Sequence, residues 1–370
     1  MLTQTHMSGV GHNALEIIRA MERLQRPSVE IHLIVTLGKK QFLARHKFGP
    51  AIKVHVIPLP ARLVEALLRA KLLLPIDLLC GKGLYIFPNY KKWPLLRSRS
   101  LLYVHDVVFM RNPEYVQPKN LHYLQKYLPV WIRAASKVVT ISQFSKQEII
   151  DCLGVPASKI VVAPCGVDQT VFYERSPHEI DAVTRRHGIA AKRYVIYVGN
   201  LEPRKNIKRV VQAMTLLPDR VKQQYALVLI GGGGWLNEGI YEAIDQARSQ
   251  GAQIITPDHY VPDEDLPALL SGATALVHPA HYEGFGLSVV QAMAVGTPVL
   301  VARNSSIPEL VGDAGLYVDP LSETDIAAKL QRIVTDGPLR QKLAKLGHAQ
   351  ADRFSWEASA STLLDVDLST

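Results

Sequence analysis

Cysteine is scarce, with only Cys80, Cys152 and Cys165 in 370 residues. Their odd number and lack of metal-ligand spacing exclude a disulfide scaffold or a zinc module, and point to a reducing, cytoplasmic setting. No apolar run reaches the length of a membrane span, and the N-terminus does not read as a signal peptide. Aromatic residues make up only 7% and are not interleaved with basic ones. Without zinc spacing or a helix-turn-helix pattern either, a nucleic-acid partner is not expected. Acidic residues are outnumbered, 33 against 42 Lys and Arg, giving a net charge of +9 and a pI near 9.3. This balance favours an anionic partner, such as a membrane surface or a phospholipid-like substrate.

A hydrophobic content of 48% over this length supports two cored α/β domains. Short apolar runs alternate with helical patterns, as in parallel sheets. In the first half the expected strands are 31–37, 53–57, 84–87, 101–104, 137–141 and 160–163. A polar stretch over 173–192 reads as a linker, after which strands restart at 194–198, 225–230, 253–256, 274–278, 298–302 and 316–318. The expected domains are 1–172, to which a C-terminal helix over 355–370 returns, and 190–354. Ser8-Gly9-Val10-Gly11-His12-Asn13 looks like the glycine-rich turn after a first strand, yet 1–7 (MLTQTHM) holds no strand-like run. A doubly wound domain lacking its first strand is therefore expected, from a start that lies late relative to its relatives.

Residues 278–298, HPAHYEGFGLSVVQAMAVGTP, read as a strand end, a glycine-broken turn and a helix start. Gly284 and Gly286 allow close backbone approach to a ligand. The helix beginning near Leu287 directs free N–H groups and its positive dipole end at the same place. With Glu283 at the turn, the spot suits a ligand bearing both hydroxyls and phosphates, such as a nucleotide sugar.

This segment resembles the signature of retaining glycosyltransferases of family 4, with the GT-B fold: Glu283, Gly284, Phe285, Gly286, Leu287, Ala292, Met293, Gly296, Thr297, Pro298 and Val299 match, while Gln291 stands where the family has a second glutamate. The resemblance implies two Rossmann-like domains facing across a cleft. It also implies that Glu283 contacts the transferred sugar and the charge developing near its C1. The family's second acid binds ribose hydroxyls; Gln291 keeps an acceptor and donors but lacks the charge. VGNLEPRKNI, residues 198–207, resembles the family's GxxxPRKN element, which puts Gly199, Arg204 and Lys205 at the donor diphosphate, with both cations stabilising the leaving charge. SLLYVHDVVF resembles its His-Asp element, so His105 is expected to face the donor sugar while Asp106 holds its loop. Gly9 and Gly11 are carried over to the loop that approaches the diphosphate and the acceptor.

Other motifs are weaker. Gly9 to Ala14 also fits G-x-G-x-x-A, but without a preceding strand or a closing acid it does not support a dehydrogenase. Gly231 to Gly234 form a turn after a strand and lack the GK[ST] ending of a P-loop. Asp263 is expected to cap the next helix. Ala61–Leu79, with Arg62, Arg69 and Lys71 among leucines, reads either as a helix packed on its own domain and ended by Pro75 or as a surface lying on an anionic bilayer.

The function implied is transfer of a sugar, with mannose from GDP-mannose preferred, to a lipid-linked or polysaccharide hydroxyl with retained configuration. No metal or other cofactor is expected, and the protein is expected to be cytoplasmic, at the inner membrane face if peripheral. The alternatives are a non-catalytic scaffold subunit, which Gln291 and the absent strand favour, and a nucleotide-sugar epimerase.

Overall fold

The computed structural model describes residues 7–40, 43, 46–70, 72–191, 193–234 and 236–368. The chain divides into two compact units, one of residues 1–165 with 356–370 and the other of residues 166–355. Residues 1–6 and Lys71 lie outside the described residues, and with them most of the expected strandless start.

The first unit holds β1 (His32–Leu37), β2 (Lys53–Pro60), β3 (Leu84–Phe87), β4 (Arg99–Tyr103), β5 (Lys137–Thr140) and β6 (Ile160–Val162). Among the described residues these form two parallel sheets, β1-β2 and β3-β4-β5-β6, rather than one. Burial follows the division: β5 is buried throughout, whereas β1 and β3 are half-exposed edges. The terminal helix Trp356–Leu364 packs on the helix Gly9–Leu24. Arg26 pairs there with Asp365, and Arg23 with Glu357 at 2.6 Å.

The second unit is one six-stranded parallel sheet made of β7 (Tyr194–Val198), β8 (Ala226–Ile230), β9 (Ile254–Ile255), β10 (Ala275–His278), β11 (Val299–Ala302) and β12 (Gly315–Val318). Its order is β12-β11-β10-β7-β8-β9. β8, β10 and β11 are buried at every residue, as expected of strands covered on both faces. Strand order reverses between β10 and β7, and the crevice at the carboxyl ends of such neighbours is where open α/β sheets bind ligands.

Four expectations are corrected. The supposed linker contains a helix, Pro177–Arg186, whose start carries a capping box of Ser176 and Glu179. Gly9 and Gly11 do not lie in a loop: they open the helix Gly9–Leu24, because Ser8 Oγ accepts the Gly11 N–H and caps it. The helix from Ala61 ends at Arg69, well before Pro75, and a second short helix, Asp77–Cys80, follows. Asp263 lies inside the 3-10 turn Asp263–Asp265 instead of capping it; Asp265 accepts hydrogen bonds from Arg186 and is paired with His187.

Candidate active site

Two loops build the site, one after β7 and one after β10. The strands are hydrogen-bonded neighbours, with Ala275 opposite Val195 and Leu276 opposite Ile196. The loop after β7 makes a 3-10 turn at Pro203–Lys205 and then enters the helix Ile207–Thr215 through Asn206. Asn206 Nδ2 donates to the carbonyls of Pro279 and Pro320 at 3.0 and 2.7 Å. The His281 N–H donates to the Arg204 carbonyl at 2.8 Å. Residues 204–206 are therefore tied to the loop that carries Glu283.

Glu283 is 6% exposed. One carboxylate oxygen accepts from Lys205 Nζ and, at 2.7 Å, from His278 Nε2. The other lies 3.3 Å from Arg204 Nη1, which also donates to the Tyr282 carbonyl at 2.7 Å. Arg204 Nη2 is held by Glu202 at 2.7 Å. Burial alone would push the Glu283 carboxyl up, but Lys205, Arg204 and the His278 hydrogen bond hold it well below the ordinary range. Burial lowers Lys205 from its usual value even with the carboxylate beside it. His278 is lowered by burial too. An ionised carboxylate only accepts, so His278 carries its proton on Nε2. Its Nδ1 has no hydrogen-bond partner among the described residues, and its ring stacks on Tyr197 at 5.9 Å.

Backbone geometry fixes the turn. Ser305 Oγ accepts the Glu283 N–H at 3.0 Å. Ser306 Oγ donates to the carbonyls of Glu283 and Phe285 at 2.9 and 3.0 Å. Gly286 sits at φ +108, where a Cβ would meet Ile307 and Leu310 side chains at 3.0 and 3.1 Å, so only glycine lets this helix start so close to the next element. The helix Leu287–Ala294 then opens with first-turn N–H groups that no helical carbonyl can satisfy.

Of the residues expected from sequence, Arg204, Lys205 and Glu283 are in direct contact. Gly199 closes β7, its N–H donating to the Ile230 carbonyl at 2.9 Å. Gly284 is buried in the turn, and Leu287 starts the helix. Gln291 lies one helical turn further on, half-buried, with no side-chain hydrogen bond among the described residues. The Phe285 ring is buried and packs edge-on against Phe354 at 5.5 Å, away from the polar cluster.

His105, Gly9 and Gly11 belong to the first unit. His105 is buried, with Nε2 3.1 Å from the Pro88 carbonyl and its ring stacked on Tyr103 at 5.2 Å. Burial lowers its pKa. Asp106 Oδ1 accepts the Val108 N–H at 3.2 Å and so holds the loop. His278, Ser305 and Ser306 were not singled out for these contacts from the sequence, although the position of His278 at a strand end five residues before Glu283 was a readable signal.

Residues 7–171 match the family described as Glycosyltransferase Family 4, and residues 180–350 match Glycosyl transferases group 1. The chain is 37% identical to O-antigen chain mannosyltransferase B of Escherichia coli, over 74% of its own length and 71% of that protein. It is 26% identical to the serotype-specific mannosyltransferase WbdA of the same organism over 72% of its length, and spans only 33% of that longer protein. HepE of Anabaena, solved in complex with UDP-glucose, superposes with a TM-score of 0.74 at 21% identity, covering 98% of each chain. On these grounds, the chain belongs to the group 1 glycosyl transferases of family 4, enzymes of the GT-B fold.

Proposed function

We propose that the protein transfers mannose from GDP-mannose to a hydroxyl of a growing lipid-linked or polysaccharide glycan, with retained anomeric configuration. The observation that carries this reading is the contact of the buried Glu283 with the partly buried Arg204 and Lys205 at the carboxyl ends of β7 and β10. A diphosphate arriving there competes with Glu283 for both cations. Engaging them frees the carboxylate to accept hydroxyls of the transferred sugar and to face positive charge near C1. Arg204 and Lys205 then stabilise the leaving diphosphate, and the first-turn amides at Leu287 add oriented donors. The bond from C1 to the diphosphate oxygen breaks, the acceptor oxygen bonds to C1 on the same face, and the departing diphosphate takes the acceptor proton. With two cations supplying the charge, no metal is needed in this scheme. Gln291, whose amide makes no hydrogen bond among the described residues, binds ribose hydroxyls in this scheme. Mannose is favoured because the 37% identical relative is a mannosyltransferase.

We place the acceptor at the inner face of the cell membrane, with the protein peripheral to it. Leu72, Leu74 and Leu79 are 65–70% exposed, and Leu63 and Leu78 about half exposed, beside the exposed Arg62 and Arg69. Such a surface suits anionic lipid. Among the described residues, no helix is long and apolar enough to cross a membrane.

The test is transfer from GDP-mannose, UDP-glucose, UDP-galactose and dTDP-rhamnose to a lipid-linked acceptor extract, with the product's anomeric configuration read by NMR. α-Mannosyl product from GDP-mannose alone is expected. Transfer from another donor overturns the choice of mannose. No transfer from any donor, by this protein or by Gln291→Glu, favours a scaffold subunit, the reading that Gln291 itself motivates.

A further inference from the structure

The second unit has a second recess, at the opposite end of its sheet from Glu283. It is a cavity of about 880 Å³ bordered by residues that precede the strands: Arg193 before β7, Tyr225 before β8, Thr274 before β10 and Pro298 before β11. A volume of this size accommodates a small metabolite. Three arginines line it, Arg193, Arg220 and Arg340, and among the described residues no aspartate or glutamate does.

The guanidinium groups are differently committed. Arg340 donates from Nη1 to the carbonyls of Ile333 and Val334 at 2.9 and 2.8 Å, closing a helix end. Arg193 stands over the Tyr225 ring at 5.9 Å. Arg220 is exposed and, among the described residues, makes no hydrogen bond or ion pair. The neighbouring acid, Asp219, is taken by Lys222 at 2.9 Å. Elsewhere in this unit Arg175, Arg185, Arg186, Arg204 and Arg248 each have a carboxylate partner, while Arg209, Arg303, Arg332 and Arg353 have none among the described residues. The three arginines of the recess have none among the described residues. Uncompensated guanidinium forks around one concavity attract oxyanions, which they grip in a bidentate manner. The amides of Gln224, Gln331 and Gln341 line the same wall and offer neutral donors and acceptors to the rest of a ligand.

We propose that this recess binds a small metabolite carrying at least two oxyanion groups, at a site separate from the Glu283 cluster. The cavity wall includes Gly296, just beyond the end of the helix that starts beside Glu283. One helix therefore borders both places, at its two ends.

The test titrates inorganic pyrophosphate, and separately citrate, into the intact protein held with saturating GDP, which occupies the Glu283 site, by calorimetry and by thermal unfolding. The wild type is compared with Arg220→Gln and with the pair Arg193→Gln/Arg220→Gln. Arg340 is left alone because it closes a helix. Expected is an affinity at least tenfold weaker in the pair and a smaller loss in the single variant, with GDP affinity unchanged in both. A saturating anion is expected to raise the wild-type Tm by on the order of 5 °C at a hundred times its Kd. Preference for pyrophosphate identifies a phosphorylated ligand, and preference for citrate a polycarboxylate. Isotherms that are the same in all three proteins, or no binding of either anion to the wild type, overturn the proposal. Arg220 makes no contact that folding needs, so the single variant remains readable should the pair fail to fold.

Discussion

Lys205 and Glu283, 78 residues apart in the chain, are joined by a hydrogen bond between loops that follow two neighbouring strands. The carboxylate is buried and the ammonium partly so, and Arg204 and His278 complete the ring around the acid. Glu283 therefore restrains the cations it sits beside. Replacing it by alanine is expected to lower kcat by roughly 10²- to 10³-fold. Nucleoside diphosphate affinity is expected to stay or rise, since the cations are released. Stability should fall by about 3 kcal/mol, because partly buried positive charge loses its partner. Steady-state kinetics, GDP titration and denaturant unfolding read the three in turn, and full activity in Glu283→Ala would sink the site assignment.

Gln291 is the departure from the family pattern that bears on catalysis. Its amide is half-buried and makes no internal hydrogen bond among the described residues, so Gln291→Glu adds a charge without breaking one there. Unchanged or increased turnover is expected, with KM for the donor equal or lower. A large loss of turnover would show that the glutamine is adapted to its own role at the donor.

Much of this was readable from residue order. Twelve apolar runs, each three to seven residues long, became the twelve strands within a few residues, because buried parallel strands are continuous in Val, Ile and Leu. The polar stretch 173–192 was harder. Its helix is predominantly hydrophilic and announces itself only through Ser176 and Glu179 at capping spacing. Gly9 and Gly11 misled because glycine marks turns far more often than helix starts, and the Ser8 cap decided the matter. The Lys205–Glu283 contact, unlike the short-range one between His278 and Glu283, could not be read from sequence. It exists because the strand order brings β7 beside β10, a property of the whole sheet and not of either segment.

The four-glycine run separates by position. Gly231 has φ +149, and a Cβ there would lie 2.0 Å from the Gly199 carbonyl oxygen; at Gly232 a Cβ meets nothing within 4 Å. Gly231→Ala is expected to cost at least about 2 kcal/mol, through strain and displacement of the loop after β7. Gly232→Ala should stay within about 0.5 kcal/mol of wild type. Denaturant unfolding of the two variants checks this, and equal stabilities would mean that the two loops do not approach as described.

Metal removal separates the two-cation scheme from a metal-assisted one. In the proposed scheme Arg204 and Lys205 supply the charge that a divalent ion would otherwise bring to the diphosphate. Transfer is expected to keep its rate in excess EDTA, and Lys205→Ala to lose at least about tenfold in kcat. Loss of activity in EDTA, restored by added magnesium, would overturn the scheme.

Acid should act on this protein in two steps, set by different groups. His105 and His278 are both lowered by burial, so the unfolded chain takes up protons at these positions before the folded one does. Stability then falls as pH drops below about 6.5, by up to about 1.4 kcal/mol per pH unit for each histidine. Glu283 acts in the lower window. Its folded pKa is depressed, so its contribution is complete above the unfolded value near 4.5 and is lost as pH falls through the folded one. Tm measured from pH 7.5 to 3 should decline in two stages. His278→Gln should flatten the upper stage and Glu283→Gln the lower. A wild-type profile that is level between pH 7 and 5 would contradict the buried, neutral state of both histidines.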